Sequence, residues 1–238
     1  MALPDSAEPI SHWYGVCERT GLDMFSEPLN VISSILFMIV AVTIYRYYHK
    51  NEDVQRRWIW DIHALTTLCF IIGVNSIIFH TWPTPTTELM DTVPIVMFIM
   101  IYFTSVLFRI GRCSLFQAGI CLTAFLGFSH ILVAQFPHAM NDSIGYLSSM
   151  LALIVIAVHL HMRARPSSQY FMLASLIGVC SLFCRAIDRE VCDVFPFGTH
   201  FLWHSCNATL LYILLKQIIR NVNRDARLKQ LAGDSTMI

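Results

Sequence analysis

The chain has 238 residues, of which 55% are hydrophobic and only 13% charged, far more apolar surface than one soluble core of this length can use, which excludes an ordinary soluble domain. The formal net charge is zero and the sequence pI is about 7.1, so no global field draws the chain to nucleic acid or to an acidic surface. Partners must therefore be sought in local features.

The first residues carry Asp5 and Glu8 in place of a basic segment leading into a short apolar core. No cleavable signal peptide is predicted, and the first apolar run is expected to stay in the protein. A bilayer core about 30 Å thick takes roughly 20 apolar residues of helix to cross. Runs near that length fall, in chain order, at 28–48, 58–79, 89–108, 113–136, 144–162, 168–185 and 199–219. The expectation is an all-α membrane protein: one domain over 1–238, built as a bundle of seven transmembrane helices. An outer N-terminal loop covers 1–27 and a flexible cytosolic tail covers 228–238.

Short cytoplasmic loops collect Lys and Arg, which tests the layout. Arg46, Lys50, Arg56 and Arg57 lie between runs one and two, Arg109 and Arg112 between three and four, and Arg163 and Arg165 between five and six. Lys216, Arg220, Arg224, Arg227 and Lys229 end or follow run seven. Thirteen of the 16 basic residues thus share the side of the C-terminus, leaving Arg19, Arg185 and Arg189 opposite. The N-terminus is predicted to be non-cytoplasmic and the C-terminus cytoplasmic, in a bacterial inner membrane or a eukaryotic endomembrane or plasma membrane. Among the eight cysteines, Cys69, Cys121, Cys180 and Cys206 lie inside apolar runs, where a thiol packs as a small hydrophobe, and only Cys17 and Cys192 are placed for bridging.

On this topology the polar residues converge on the non-cytoplasmic helix ends. Ser76 and His80 close run two, Asp91 opens run three, Arg185 and Asp188 close run six, and His200 and His204 open run seven, with Glu18 and Glu27 just before run one. An ionisable group inside a membrane helix is a functional hypothesis by default. His200 and His204, four apart, share one helix face and can hold one metal; His80 at the same depth supplies the third ligand of an open zinc site. The competing reading of any single histidine is an interfacial or hydrogen-bonded core residue, and His63, His130, His159 and His161 are read that way. Zinc lowers the pKa of water and polarises a carbonyl, and such a site needs a proton shuttle. Asp91 suits that role, and Ser76, one turn before His80, can donate to the water or to a developing oxyanion. Alone, Asp91 is also explained as an acid at a helix start, and Ser76 as a packing residue.

Read together, Cys17-Glu18, Glu27 to Ser33, Ser76-x-x-x-His80, Asp91-x-x-Pro94 and His200-x-x-x-His204 resemble the alkaline ceramidase family, within a wider group of seven-span membrane hydrolases that includes the adiponectin receptors. The resemblance implies hydrolysis of the ceramide amide to a sphingoid base and a fatty acid, with zinc on His80, His200 and His204 and with Asp91 and Ser76 as catalytic residues. It also implies a calcium site at Val16, Glu18, Thr20 and Glu27, although Gly15 and Thr20 stand where the family carries Asp and Asn. Further, it implies a Cys17–Cys192 disulfide, which agrees with both residues lying in non-cytoplasmic segments. Arg185 and Asp188 are expected to support the pocket, as an ion pair or a simple surface pair. The alternative function is a seven-helix lipid-binding receptor whose zinc is structural. The expected partners are a lipid substrate and the membrane, with no nucleic acid.

Overall fold

A computed structural model describes residues 16–21, 23–50 and 59–234, with side chains as far as Arg224. The expectations for Gly15, Arg56, Arg57, Trp58, the outer loop before residue 16 and the last four residues of the tail lie outside the described residues. Among these residues the secondary structure is helical, with no strand. We number the long helices α1 (Pro28–Lys50), α2 (Trp60–Thr81), α3 (Pro85–Arg109), α4 (Leu115–Gln135), α5 (Gly145–Met162), α6 (Ser168–Ile187) and α7 (His200–Asp234).

Local chemistry accounts for the helix starts. Thr84 caps α3 reciprocally with Thr87, and Pro85 follows at the first helical position, where a missing N–H costs nothing. Hence α3 begins four residues before the apolar run that predicts it. Asp91 is therefore nearly two turns inside the helix and is not an acid at its start, which removes the helix-dipole explanation of that residue. Ser114 and Gln117 form the same kind of box before α4. The first amides of α1 are satisfied from a distance, because the Glu18 carboxylate accepts the N–H of Leu29 (2.6 Å) and of Asn30 (2.9 Å).

Among the described residues six helices are long and apolar enough to cross a membrane: α1 to α5, and α6 extended through the 3-10 turn Asp188–Val191. α7, expected as the seventh, is not among them. The stretch expected to span carries His200, His204, Asn207, Lys216 and Gln217. Its packing explains how these are tolerated: α7 lies chiefly against α1 and α6 and also touches α2 and α3. Trp203, His204, Leu210, Leu215, Ile218 and Ile219 are buried, so neighbouring helices surround much of its length. α7 continues helically through Asp234, beyond the point where the tail was expected to begin.

Phe37, Ile44, Leu65, Ile72, Phe171, Leu215 and Ile218 form the centre of the core. In contrast, α4 buries only Ala118 and sits at the periphery, while Leu115, Phe116, Ile32, Val155 and Met162 are exposed apolar residues of the kind that face lipid. The chain is thus a multi-pass membrane protein. At the end of the bundle opposite the histidines, Arg109 grips buried Asp61 with two bonds of 2.7 Å and Ser105 adds a third of 2.8 Å. Sequence reasoning had read Arg109 only as a loop charge.

Candidate metal centre

His80 lies in the last turn of α2, and His200 and His204 occupy the first two turns of α7. The three rings converge, with centroids 5.1 Å (His80 to His200), 4.9 Å (His80 to His204) and 4.6 Å (His200 to His204) apart. One nitrogen from each lies within 4.8 Å of the others, and the three can hold a metal ion. His80 Nε2, His200 Nδ1 and His204 Nε2 are buried without a hydrogen-bond partner. Three buried nitrogens left bare in one place carry a desolvation penalty that a shared cation would relieve, so the residues present fit a metal.

Neighbours fix the other face of two of these rings. Glu27 takes the Nδ1 of His80 through Oε2. The Oγ of Ser33 stands 2.9 Å from Nδ1 of His204 and itself donates to the carbonyl of Asn30 (3.0 Å), so the imidazole N–H donates to Ser33. In each case the far nitrogen keeps its lone pair for a ligand. His200 stacks on Trp203 at 5.2 Å and 29°.

Asp188 holds α7 in register. Its carboxylate, buried to 0% exposure, accepts the backbone N–H groups of Cys17 (3.0 Å), Thr199 (2.5 Å) and His200 (2.8 Å). Asp188 is therefore no surface residue: it lies near the Arg185 charge, and it is the cap of α7 and the tie to the N-terminal segment. Gly198 must be glycine, because its φ is +63° and a Cβ there would strike Asp188 and Cys17. Cys17 and Cys192 are joined by a disulfide at this point.

Ser76 is buried one turn before His80 and accepts from Ser34 Oγ at 3.0 Å. Asp91 faces Ser76, His80 and Arg185, and its Oδ1 is buried without a partner. It lines a cavity of about 510 Å³ together with His200, Trp203, Tyr146, Arg185 and Arg189. A narrower apolar chamber of about 120 Å³, reaching Leu214, shares the walls Ile99, Phe125, Tyr146, Ser149 and Trp203 with it.

Of the residues singled out for calcium, Val16, Glu18 and Glu27 are buried and Thr20 is exposed. Burial pushes the Glu18 carboxyl above its ordinary value, opposed by the two amides it accepts. Glu27 binds Arg19 through one oxygen and, through the other, His80 and the side-chain amide of Asn30 (2.9 Å). Sequence reasoning missed the parts played by Arg19, Asn30, Ser33 and Ser34. The available sign was three polar residues at 30, 33 and 34, a spacing that puts them on one face of an otherwise apolar helix.

Over residues 4–222 the chain matches the Per1-like family. It belongs to that family. The Per1-like chain is also 28% identical over 208 residues to the Post-GPI attachment to proteins factor 3 of Drosophila melanogaster, an alignment covering 82% of this chain and 62% of that protein. The chain thus spans less than two thirds of the length of this relative. No solved structure matches it.

The family match overturns the resemblance to alkaline ceramidases. The motifs that carried it, Ser76 to His80, Asp91 to Pro94 and His200 to His204, are short and describe helix spacings that bring three histidines, an acid and a hydroxyl together. They record a way of building a site and carry no information about the lipid that enters it. Ceramide hydrolysis, lipid amidase activity, a place in sphingolipid metabolism and the receptor alternative fall with it.

Proposed function

We propose that this Per1-like chain removes an acyl chain from the lipid of GPI-anchored proteins by ester hydrolysis at His80, His200 and His204. The relative's name places that protein after the attachment of GPI to proteins, and the site supplies a suitable chemistry. The observation that carries the reading is the set of three buried, unpartnered imidazole nitrogens beside a cavity in a membrane bundle.

Zinc is the metal that three imidazole nitrogens with an open fourth position suit best. Bound there, it would polarise an ester carbonyl and acidify water. Water adds across the ester: its oxygen bonds to the acyl carbon, the acyl C–O bond breaks, and one proton passes to the departing alkoxide. Asp91, with one oxygen free of partners, accepts that proton and returns it. Ser76 holds Asp91 toward the histidines, and Arg185 balances its charge. The acyl chain lies along Phe125, Trp203 and Ile99 into the narrower chamber.

We further read the chain as one seven-helix domain, α7 completing the bundle, with the N-terminus and the site non-cytoplasmic and the C-terminus cytoplasmic. Support comes from the sequence, in which thirteen of the 16 basic residues fall in the segments assigned to the side of the C-terminus, and from a disulfide at the site end, which suits an oxidising compartment. The test is incubation of purified protein with a GPI-anchored protein carrying labelled acyl chains. Release of labelled fatty acid by the wild type, abolished by His204→Ala and by a zinc chelator, is expected; release that survives both would exclude this site as its source.

A further inference from the structure

The structure assigns to Arg19 the role of positioning residue for the candidate metal centre, acting through Glu27 and His80. Its side chain is entirely buried. Each nitrogen of the guanidinium has a named task. Nε donates to Glu27 Oε1, Nη2 donates to the main-chain carbonyl of His80 at 2.8 Å, and Nη1 donates to the carbonyl of Gly21 at 3.1 Å.

One side chain therefore holds His80 at two places. It fixes the backbone directly, and it fixes the imidazole through Glu27, whose second oxygen takes Nδ1. A cation buried this deeply is tolerated because Glu27 neutralises it and carbonyls accept from its two terminal nitrogens. Only a planar fork can reach three acceptors lying in different directions; an ammonium on a flexible stem cannot fill all three in the same geometry. By accepting from His80 Nδ1–H, Glu27 sets the tautomer of His80 and orients its ring, and Arg19 sets Glu27.

The same placement bears on calcium. The guanidinium lies among the residues singled out for that ion, where both oxygens of Glu18 serve the start of α1 and both oxygens of Glu27 are engaged. Arg19 thus takes up one of the two carboxylates expected to serve calcium and turns it toward His80.

The inference rests on the metal reading and is tested without any lipid, so failure of ester hydrolysis leaves it standing. Zinc affinity of the detergent-purified full chain is measured by competition with a chromogenic chelator, for wild type, Arg19→Ala, Arg19→Lys, Glu27→Gln and the Arg19→Ala/Glu27→Gln double variant. Each alanine or glutamine change is expected to weaken zinc binding by about 10- to 100-fold, the range seen when partners of metal ligands are removed. Because both residues act along one path, the double variant should bind no worse than the weaker single one. Arg19→Lys keeps the charge and the fold, checked by its melting temperature without metal, and should still bind zinc more weakly than wild type. Wild-type affinity in Arg19→Lys, or losses that add in the double variant, would each overturn the assignment. Absence of zinc binding in the wild type would overturn the metal reading itself.

Discussion

At the scale of single residues, the three histidines are defined as much by what touches their far sides as by their convergence. Ser33 and Glu27 hold His204 and His80, and Asp91 stands across the cavity with an oxygen to spare. Asp91→Asn keeps the shape of the side chain and removes its ability to take a proton. Turnover is expected to fall about 10²- to 10⁴-fold, with zinc content unchanged, in a fatty-acid release assay set beside metal analysis. Ser33→Ala removes only the acceptor for His204 and should reduce metal affinity while leaving the melting temperature of the metal-free protein nearly unchanged. The histidines, Asp91 and Ser76 were legible in the sequence because an ionisable or hydroxyl group stands out against apolar neighbours. Arg19 was not, since it precedes the first apolar run and reads as an ordinary loop cation until the fold folds that loop back over α2.

At the scale of elements, two ends of the bundle are clamped by different means. At the histidine end Asp188 ties Cys17, Thr199 and His200 together, and the disulfide closes a loop of 175 residues beside it. Replacing Cys17 with Ser should lower stability by roughly 2 to 5 kcal/mol and loosen the start of α7, seen as a lower melting temperature and weaker zinc binding together. At the other end Asp61 and Arg109 join α2 to α3. Arg109→Ala leaves the buried Asp61 charge without its partner, and an effect of about 3 to 5 kcal/mol on thermal unfolding in detergent is expected, with zinc affinity unaltered. Of these contacts the Cys17–Cys192 bridge was expected from the sequence, whereas the Asp188 bonds and the Asp61–Arg109 pair were not readable, since they join residues far apart in the chain. The helices themselves were, because their lengths follow from the bilayer; their starts were less so, as at α3, where Thr84, Pro85 and Thr87 moved the beginning by a turn.

At the scale of the whole molecule, the described residues hold six apolar helices, four of which pack against a further helix, α7, that is too polar to qualify as a span on its own and that carries two of the three histidines. The arrangement suits the proposed hydrolytic site: two of the polar ligands sit on a helix packed against four others, and the cavity beside them shares walls with an apolar chamber that an acyl chain could fill. The substrate was the part least legible in the sequence. Helix-spaced histidines describe how a metal is held, whereas what lies in the cavity depends on walls contributed by α3, α4, α5, α6 and α7, whose residues look like ordinary core until they are assembled. For that reason the family match, and not the motifs, removes ceramide, and the lipid of a GPI-anchored protein stands as the proposed substrate.

The most direct test measures zinc content and acyl release together, on one detergent-purified preparation of wild type and of His200→Ala, with a GPI-anchored protein as substrate. Close to one zinc per chain with release of fatty acid in the wild type, and loss of both in the variant, is expected. Fatty-acid release by a wild-type protein that contains no metal, or undiminished release by His200→Ala, would contradict a hydrolytic metal centre at these histidines.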